Sequence, residues 1–132
     1  MATTTATLTL QSADLTGDAL SLSTTTTLTK AGTLTGLSQT TGVARKTTSS
    51  TAQYTLFDGD AYGNGSHKVY IKNTSAVATE YATIEINSEQ MGKLYAGDWC
   101  FFPWEANADT NDIKITPSVS TSFTLEYALF YE

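Results

Sequence analysis

Apolar and polar residues alternate along most of the chain with a period of two rather than 3.6. Leu8 and Leu10 alternate with Thr7 and Thr9. Leu20, Leu22, Thr24, Thr26 and Leu28 share one parity, and Ser21, Ser23, Thr25 and Thr27 the other. Successive strand side chains point to opposite faces, so this pattern predicts strands with one apolar face at 6–10 and 20–28. A disordered Ser/Thr linker has no reason to keep leucine in register, which favours folded strands over residues 6–29. Tyr54 to Phe57 reads as a short strand, and Lys68 to Lys72 alternates. Residues 79–87 set Ala82, Ile84 and Ile86 against Tyr81, Thr83 and Glu85. Leu94 and Tyr95 lead through a Gly97-Asp98 turn into Trp99 to Phe102, where Pro103 should end the strand or place it at an edge. Ile113 and Ile115 mark another strand, stopped by Pro117. In the last strand Phe123, Leu125, Tyr127, Leu129 and Tyr131 share one face, with Phe130 interrupting the polar one. Residues 30–50 read as loop or arm, 58–66 as a turn-rich loop, and Ser88 to Met91 as at most one helical turn. The expected fold is all-β: a single antiparallel sandwich of about eight strands.

Composition sharpens this picture. Thr occurs 26 times and Ser 12 times in 132 residues. Thr is β-branched and suits a pleated, half-exposed surface. Residues 1–51 hold 18 of the 26 Thr and no aromatic residue, whereas all aromatics fall in 52–132. The chain is therefore divided into a Thr-rich N-terminal part, 1–41, and an aromatic-rich sandwich, 42–132, expected to form one domain together. The early strands are either part of that sandwich or an arm exchanged with neighbours.

Charge excludes several classes of function. A formal net charge of −6 lacks the basic footprint that nucleic-acid binders need, and Arg45-Lys46 is the only adjacent basic pair. Anionic membranes are disfavoured on the same ground. The longest apolar run, Trp99 to Trp104, is far below the roughly 20 residues of a membrane span. The first residues have neither the basic start nor the apolar core of a signal peptide, and one cysteine makes no internal disulfide. The expectation is a leaderless protein made in a reducing cytosol.

No catalytic set emerges. His67 is the single histidine and reads as an exposed strand-start residue; no nucleophile elbow accompanies it. Cys100, between Trp99 and Phe101, reads as buried and inert. Asp58, Asp60 and Gly63 match positions one, three and six of a calcium loop, but Tyr62 and Val69 stand at five and twelve. A surface turn is the better reading there, and Asp109 to Asp112 is a second acidic turn. The sequence is expected to carry no catalytic residue, no metal site and no cofactor. Asp58, Asp60 and Tyr62 remain as candidate loop contacts.

The densest feature is Gly97 to Trp104, with four aromatics in eight residues. In a strand, Trp99 and Phe101 point one way while Cys100 and Phe102 point the other, so the strand is either central or covered by another subunit. Aromatics are enriched at interfaces. Trp99, Phe101, Trp104, Phe130 and Tyr131 are the candidate interface residues.

The segments His67 to Thr74, Leu94 to Pro103 and Phe123 to Leu129, with the lead-in Gly42 to Ser50, resemble small structural proteins of tailed-bacteriophage virions. The shared pattern is a strand ending in Lys-Asn, a Gly-Asp turn into an aromatic strand near Pro, and a closing strand containing Glu-Tyr. The resemblance covers roughly residues 42–132. It implies a jelly-roll-like sandwich, often trimeric, acting as a cement or decoration protein that stabilises the head by binding itself and the major capsid protein. It also implies location on the virion after synthesis in the host cytoplasm. The alternative is a glycan-binding or fibre/baseplate module of a phage tail, stacking sugars on Trp99, Trp104 and the Tyr62 loop.

Overall fold

The computed structural model describes residues 3–15, 17–107 and 110–132. Eleven strands follow one another: β1 Thr5–Ser12, β2 Leu20–Thr27, β3 Gln39–Thr40, β4 Ala44–Thr48, β5 Tyr54–Phe57, β6 Ser66–Asn73, β7 Tyr81–Ile86, β8 Glu89–Tyr95, β9 Trp99–Glu105, β10 Ile113–Pro117 and β11 Phe123–Tyr131. Among the described residues the helical content is one 3-10 turn, Gly59–Ala61. The chain divides into two compact units, residues 1–38 and 39–132.

In the first unit, β1 and β2 form an antiparallel ribbon in unbroken register from Thr5↔Thr27 to Ser12↔Leu20. Its faces follow the alternation in the sequence. One carries Thr5, Thr7, Thr9, Ser21, Ser23, Thr25 and Thr27; the other carries Ala6, Leu8, Leu10, Leu20 and Leu22. A bridge between Thr29 and Gly36 closes a second, smaller hairpin.

The second unit is an antiparallel sandwich. One sheet has the order β5-β10-β7-β8, and the other runs β4-β11-β6-β9 with β3 also beside β11. Numbered one to eight from β4, these orders are 2-7-4-5 and 1-8-3-6, which is a jelly roll. The eight jelly-roll strands are thus β4 to β11, the two-residue β3 is a ninth strand beside β11, and the ribbon is a separate sheet. The core lies between the two layers. Phe57, Ala82, Ile84, Leu94, Ile113 and Ile115 from the first sheet meet Val69, Ile71, Trp104, Phe123, Leu125 and Leu129 from the second.

Three segments differ from the expectation. Residues 30–50 contain β3 and β4, both paired with β11, so the sandwich begins at Gln39 rather than after a loop. Ser88 to Met91 is not a helical turn. Asn87 and Ser88 both have positive φ, 52° and 63°, the geometry of a two-residue hairpin turn whose twist matches its strands. Glu89 therefore opens β8. Finally, β9 is not central: it pairs with β6 alone and runs through Pro103 to Glu105. Proline lacks a ladder donor, which an edge strand tolerates.

Candidate docking face of the sandwich

β8 and β9 are the edge strands of the two sheets on the same flank, joined by a tight turn. Gly97 takes φ 83° there, a left-handed conformation suited to glycine. Asn73, at the end of β6, fixes the turn from inside. It is fully buried; its backbone N–H donates to Asp98 O at 3.0 Å and its carbonyl accepts from Gly97 N at 3.0 Å. Its side-chain Nδ2 donates to Leu94 O at 3.0 Å and Glu80 O at 3.1 Å, so one amide ties the two layers together.

This flank gathers the exposed apolar surface of the sandwich. The large exposed hydrophobics of residues 39–132 are Val43, Val77, Met91, Tyr95, Trp99 and Phe101, and the last four belong to β8 and β9. Trp99 is 50% exposed and Phe101 38%. Alternation turns both outward with Pro103, while Cys100, Phe102 and Trp104 turn in.

The neighbouring strands extend the outer face. Trp99 stands opposite Lys72, Phe101 opposite Tyr70, and Pro103 opposite Lys68. On the far side Lys72 meets Glu126, Tyr70 meets Ala128, and Lys68 meets Phe130. Arg45 lies beyond Glu126 and donates to its Oε2 from Nε at 3.1 Å and Nη2 at 3.0 Å. The Tyr70 hydroxyl donates to Glu126 Oε1 at 3.2 Å. Arg45 holds the Glu126 carboxyl below its ordinary range, helped by Tyr70 and the charge of Lys72. Burial, then the bond to Glu126, raises the Tyr70 phenol. Burial lowers the Lys68 ammonium, which donates to Ser66 Oγ at 2.8 Å. The result is an aromatic patch beside a cluster of three bases, Arg45, Lys68 and Lys72, around the single carboxylate Glu126, a composition suited to docking protein surface.

Trp104, expected at an interface, is an interior side chain, and Tyr131, expected there too, is half-buried against the core. Trp104 is 3% exposed and donates from Nε1 to Asn111 O at 2.7 Å. Tyr131 packs on Tyr62, ring centroids 5.1 Å apart, and Tyr62 packs edge-on against Trp104 at 5.9 Å and Phe57 at 6.2 Å. The physical reason is parity: Trp104 shares the inward face of Cys100, and Tyr131 that of Leu129. Phe130 does face out, half-buried. The sugar platform of Trp99, Trp104 and Tyr62 is therefore not assembled as expected, because Trp104 is buried.

His67 is not exposed either. It is 1% exposed among Tyr62, Trp104 and Tyr131, accepting at Nδ1 from Glu132 N at 3.4 Å with Nε2 2.9 Å from Gly63 O. These contacts fit one neutral tautomer, the proton on Nε2. In the 58–66 loop Asp58 caps the 3-10 turn, accepting from Asp60 N at 2.9 Å, and Gly59 N donates to Asp112 Oδ1 at 2.9 Å. Tyr62 packs half-buried against the core, while Asp58 and Asp60 stay at the surface of the loop; Asp109 lies outside the described residues. Among the described residues no three His, Cys, Asp or Glu side chains are grouped to hold a metal ion. Burial pushes the Cys100 thiol up to about 11, which keeps it protonated and a poor nucleophile at neutral pH. No described helix is long and apolar enough to cross a membrane.

Reading the sequence alone missed Arg45, Tyr70 and Glu126 beside Trp99 and Phe101; Tyr95 of β8, exposed on the same flank, belongs to the outer face of the other sheet, where it packs on Tyr81. Alternation around Tyr70 signals an outward face, but which distant strand lies beside it depends on register. No protein-family model, curated protein or solved structure matches the chain.

Proposed function

We propose that this chain is a structural virion subunit of the cement or decoration type, which self-associates, as a trimer in our reading, and docks on a major capsid protein through the β8–β9 flank. The observation that carries the docking is the uncovered pair Trp99 and Phe101, half-exposed on the outer face of an edge strand. Burying one large aromatic contributes roughly 1.5–3 kcal/mol, and clustered aromatics are the usual anchors of an interface. The resemblance of residues 42–132 to small phage structural proteins supports the choice of capsid as partner, and the jelly-roll order agrees with it. In this reading the protein is made in the host cytoplasm and resides on the particle, without enzymatic activity or cofactor.

The test is co-sedimentation of the purified protein with capsids that lack it. Trp99→Ala or Phe101→Ala should lower affinity about tenfold or more, since roughly 1.4 kcal/mol is one decade. Undiminished binding by both variants, or no binding by the parent, overturns the reading.

The alternative, a glycan-binding or fibre/baseplate module, is favoured by one feature: Trp99 and Phe101 are bordered by the polar ends of Lys72 and Tyr70. A monomeric protein that ignores capsids and binds glycans would establish it.

A further inference from the structure

The ribbon of β1 and β2 is incomplete as a sheet. Two strands fall short of the three or more that independent stability requires. All eight residues of β2 are exposed. Neither strand contains a charged residue, a proline or a bulge, the devices by which native proteins block strand edges. We propose that β2 pairs antiparallel, about a two-fold axis, with β2 of a second copy of this chain, turning two ribbons into one four-stranded sheet. The proposal rests on the reading of the chain as a self-associating subunit; a two-fold contact cannot close a trimer, so it joins chains of different trimers.

β2 is complementary to itself. A two-fold axis normal to the sheet sets each residue opposite one from the same face. The hydroxyl row Ser21, Ser23, Thr25 and Thr27 then meets its own copy, and Leu20 and Leu22 extend one continuous apolar side. Contacts of the required kind already join β1 to β2: Thr7 Oγ1 lies 2.9 Å from Thr25 Oγ1, and Thr9 Oγ1 3.4 Å from Ser23 Oγ. Such cross-strand hydroxyl pairs stabilise sheets. Charge selects the same surface. Residues 39–132 carry eleven acids against six bases, so the sandwiches of two copies repel. The ribbon strands bring no charge to the contact.

Pairing of seven of the eight residues of Leu20–Thr27 with their own copies centres the axis on Ser23 or Thr24. Two copies of Ser23 then lie within about 8 Å, whereas two copies of Thr27 lie about 20–27 Å apart. The experiment uses the full chain with Cys100→Ser and a short bis-maleimide cross-linker at high micromolar concentration. Ser23→Cys should form covalent dimer at least tenfold faster than Thr27→Cys. Equal rates at the two positions, or no dimer at Ser23, overturn the pairing; so does cross-linking seen only with capsids present, which would assign the β2 edge to a strand of another protein. The two readings separate cleanly. A Trp99→Ala chain that loses capsid binding but still cross-links at Ser23 retains the ribbon contact, while capsid binding by a chain that never cross-links retains docking alone.

Discussion

The hydroxyl of Tyr54 is buried without a hydrogen-bond partner, at the position where β5 meets the core. A buried unpaired polar group costs about 1–3 kcal/mol, whereas removing it without changing shape costs little. Tyr54→Phe keeps the ring, and with it the stack under Lys46 Nζ, 4.3 Å from the centroid. The substitution should raise stability by about 1 kcal/mol, seen as a thermal midpoint about 3–5 °C higher by calorimetry. Asn73 is the opposite case, a buried amide with its polar atoms bonded, and it shows how much a single side chain decides. In the sequence it is an ordinary residue of an Asn-Thr-Ser bend. In the fold it joins β6 to the turn that delivers Trp99.

At the scale of elements, parity governs what each side chain of β9 does. Trp104→Ala removes a core ring and should cost about 3–5 kcal/mol, measured by urea unfolding, while Trp99→Ala should change stability by less than about 1 kcal/mol. Comparable losses from the two variants would mean that Trp99 too is held inside the fold. The alternation that predicted β6, β7 and β11 was legible because each has a dry and a wet face, whereas β1 and β2 alternate without either face being buried. β4 was not, since Ala44–Thr48 has almost no apolar side chain and owes its conformation to pairing with β11. β8 was masked by Gly92 and by a register shift after Ile84, which breaks the period of two. Its turn was masked as well, because Asn-Ser is a weaker hairpin signal than Asn-Gly. Trp99 and Phe101 were legible as an outward pair. Pro103 was expected to end the strand or place it at an edge; the strand continues through it at an edge, and Trp104 then shares the parity of Cys100, the inward one.

For the whole molecule, two weakened acids set the alkaline limit of stability. Burial, reinforced by Tyr127, raises Tyr54 to about 12 from 10.0, and burial raises Cys100 to about 11 from 9.0. Below pH 9 both groups are protonated in either state and stability is unaffected. As pH rises through 9–12 the unfolded chain loses protons that the native state retains, so stability falls. After discounting for solvent screening, the loss should total about 2–3 kcal/mol, read from chemical unfolding at pH 8 and pH 11.5. Tyr54→Phe should remove the part of that loss lying above pH 10; an identical pH dependence would assign it to other groups.

The place of β11 also dictates the order in which this chain can fold. β1 and β2 are separated by a short loop, and such a hairpin closes in roughly 1–10 μs. β11 instead lies between β4 and β6, strands reached only across most of the sandwich sequence. Until Phe123–Tyr131 docks, the outer sheet has no centre and β4 has no neighbour. Sandwiches dominated by such distant pairings fold in milliseconds to seconds. During that interval an already formed ribbon would present an unblocked edge, so chains at high concentration should meet through their ribbons before their sandwiches close.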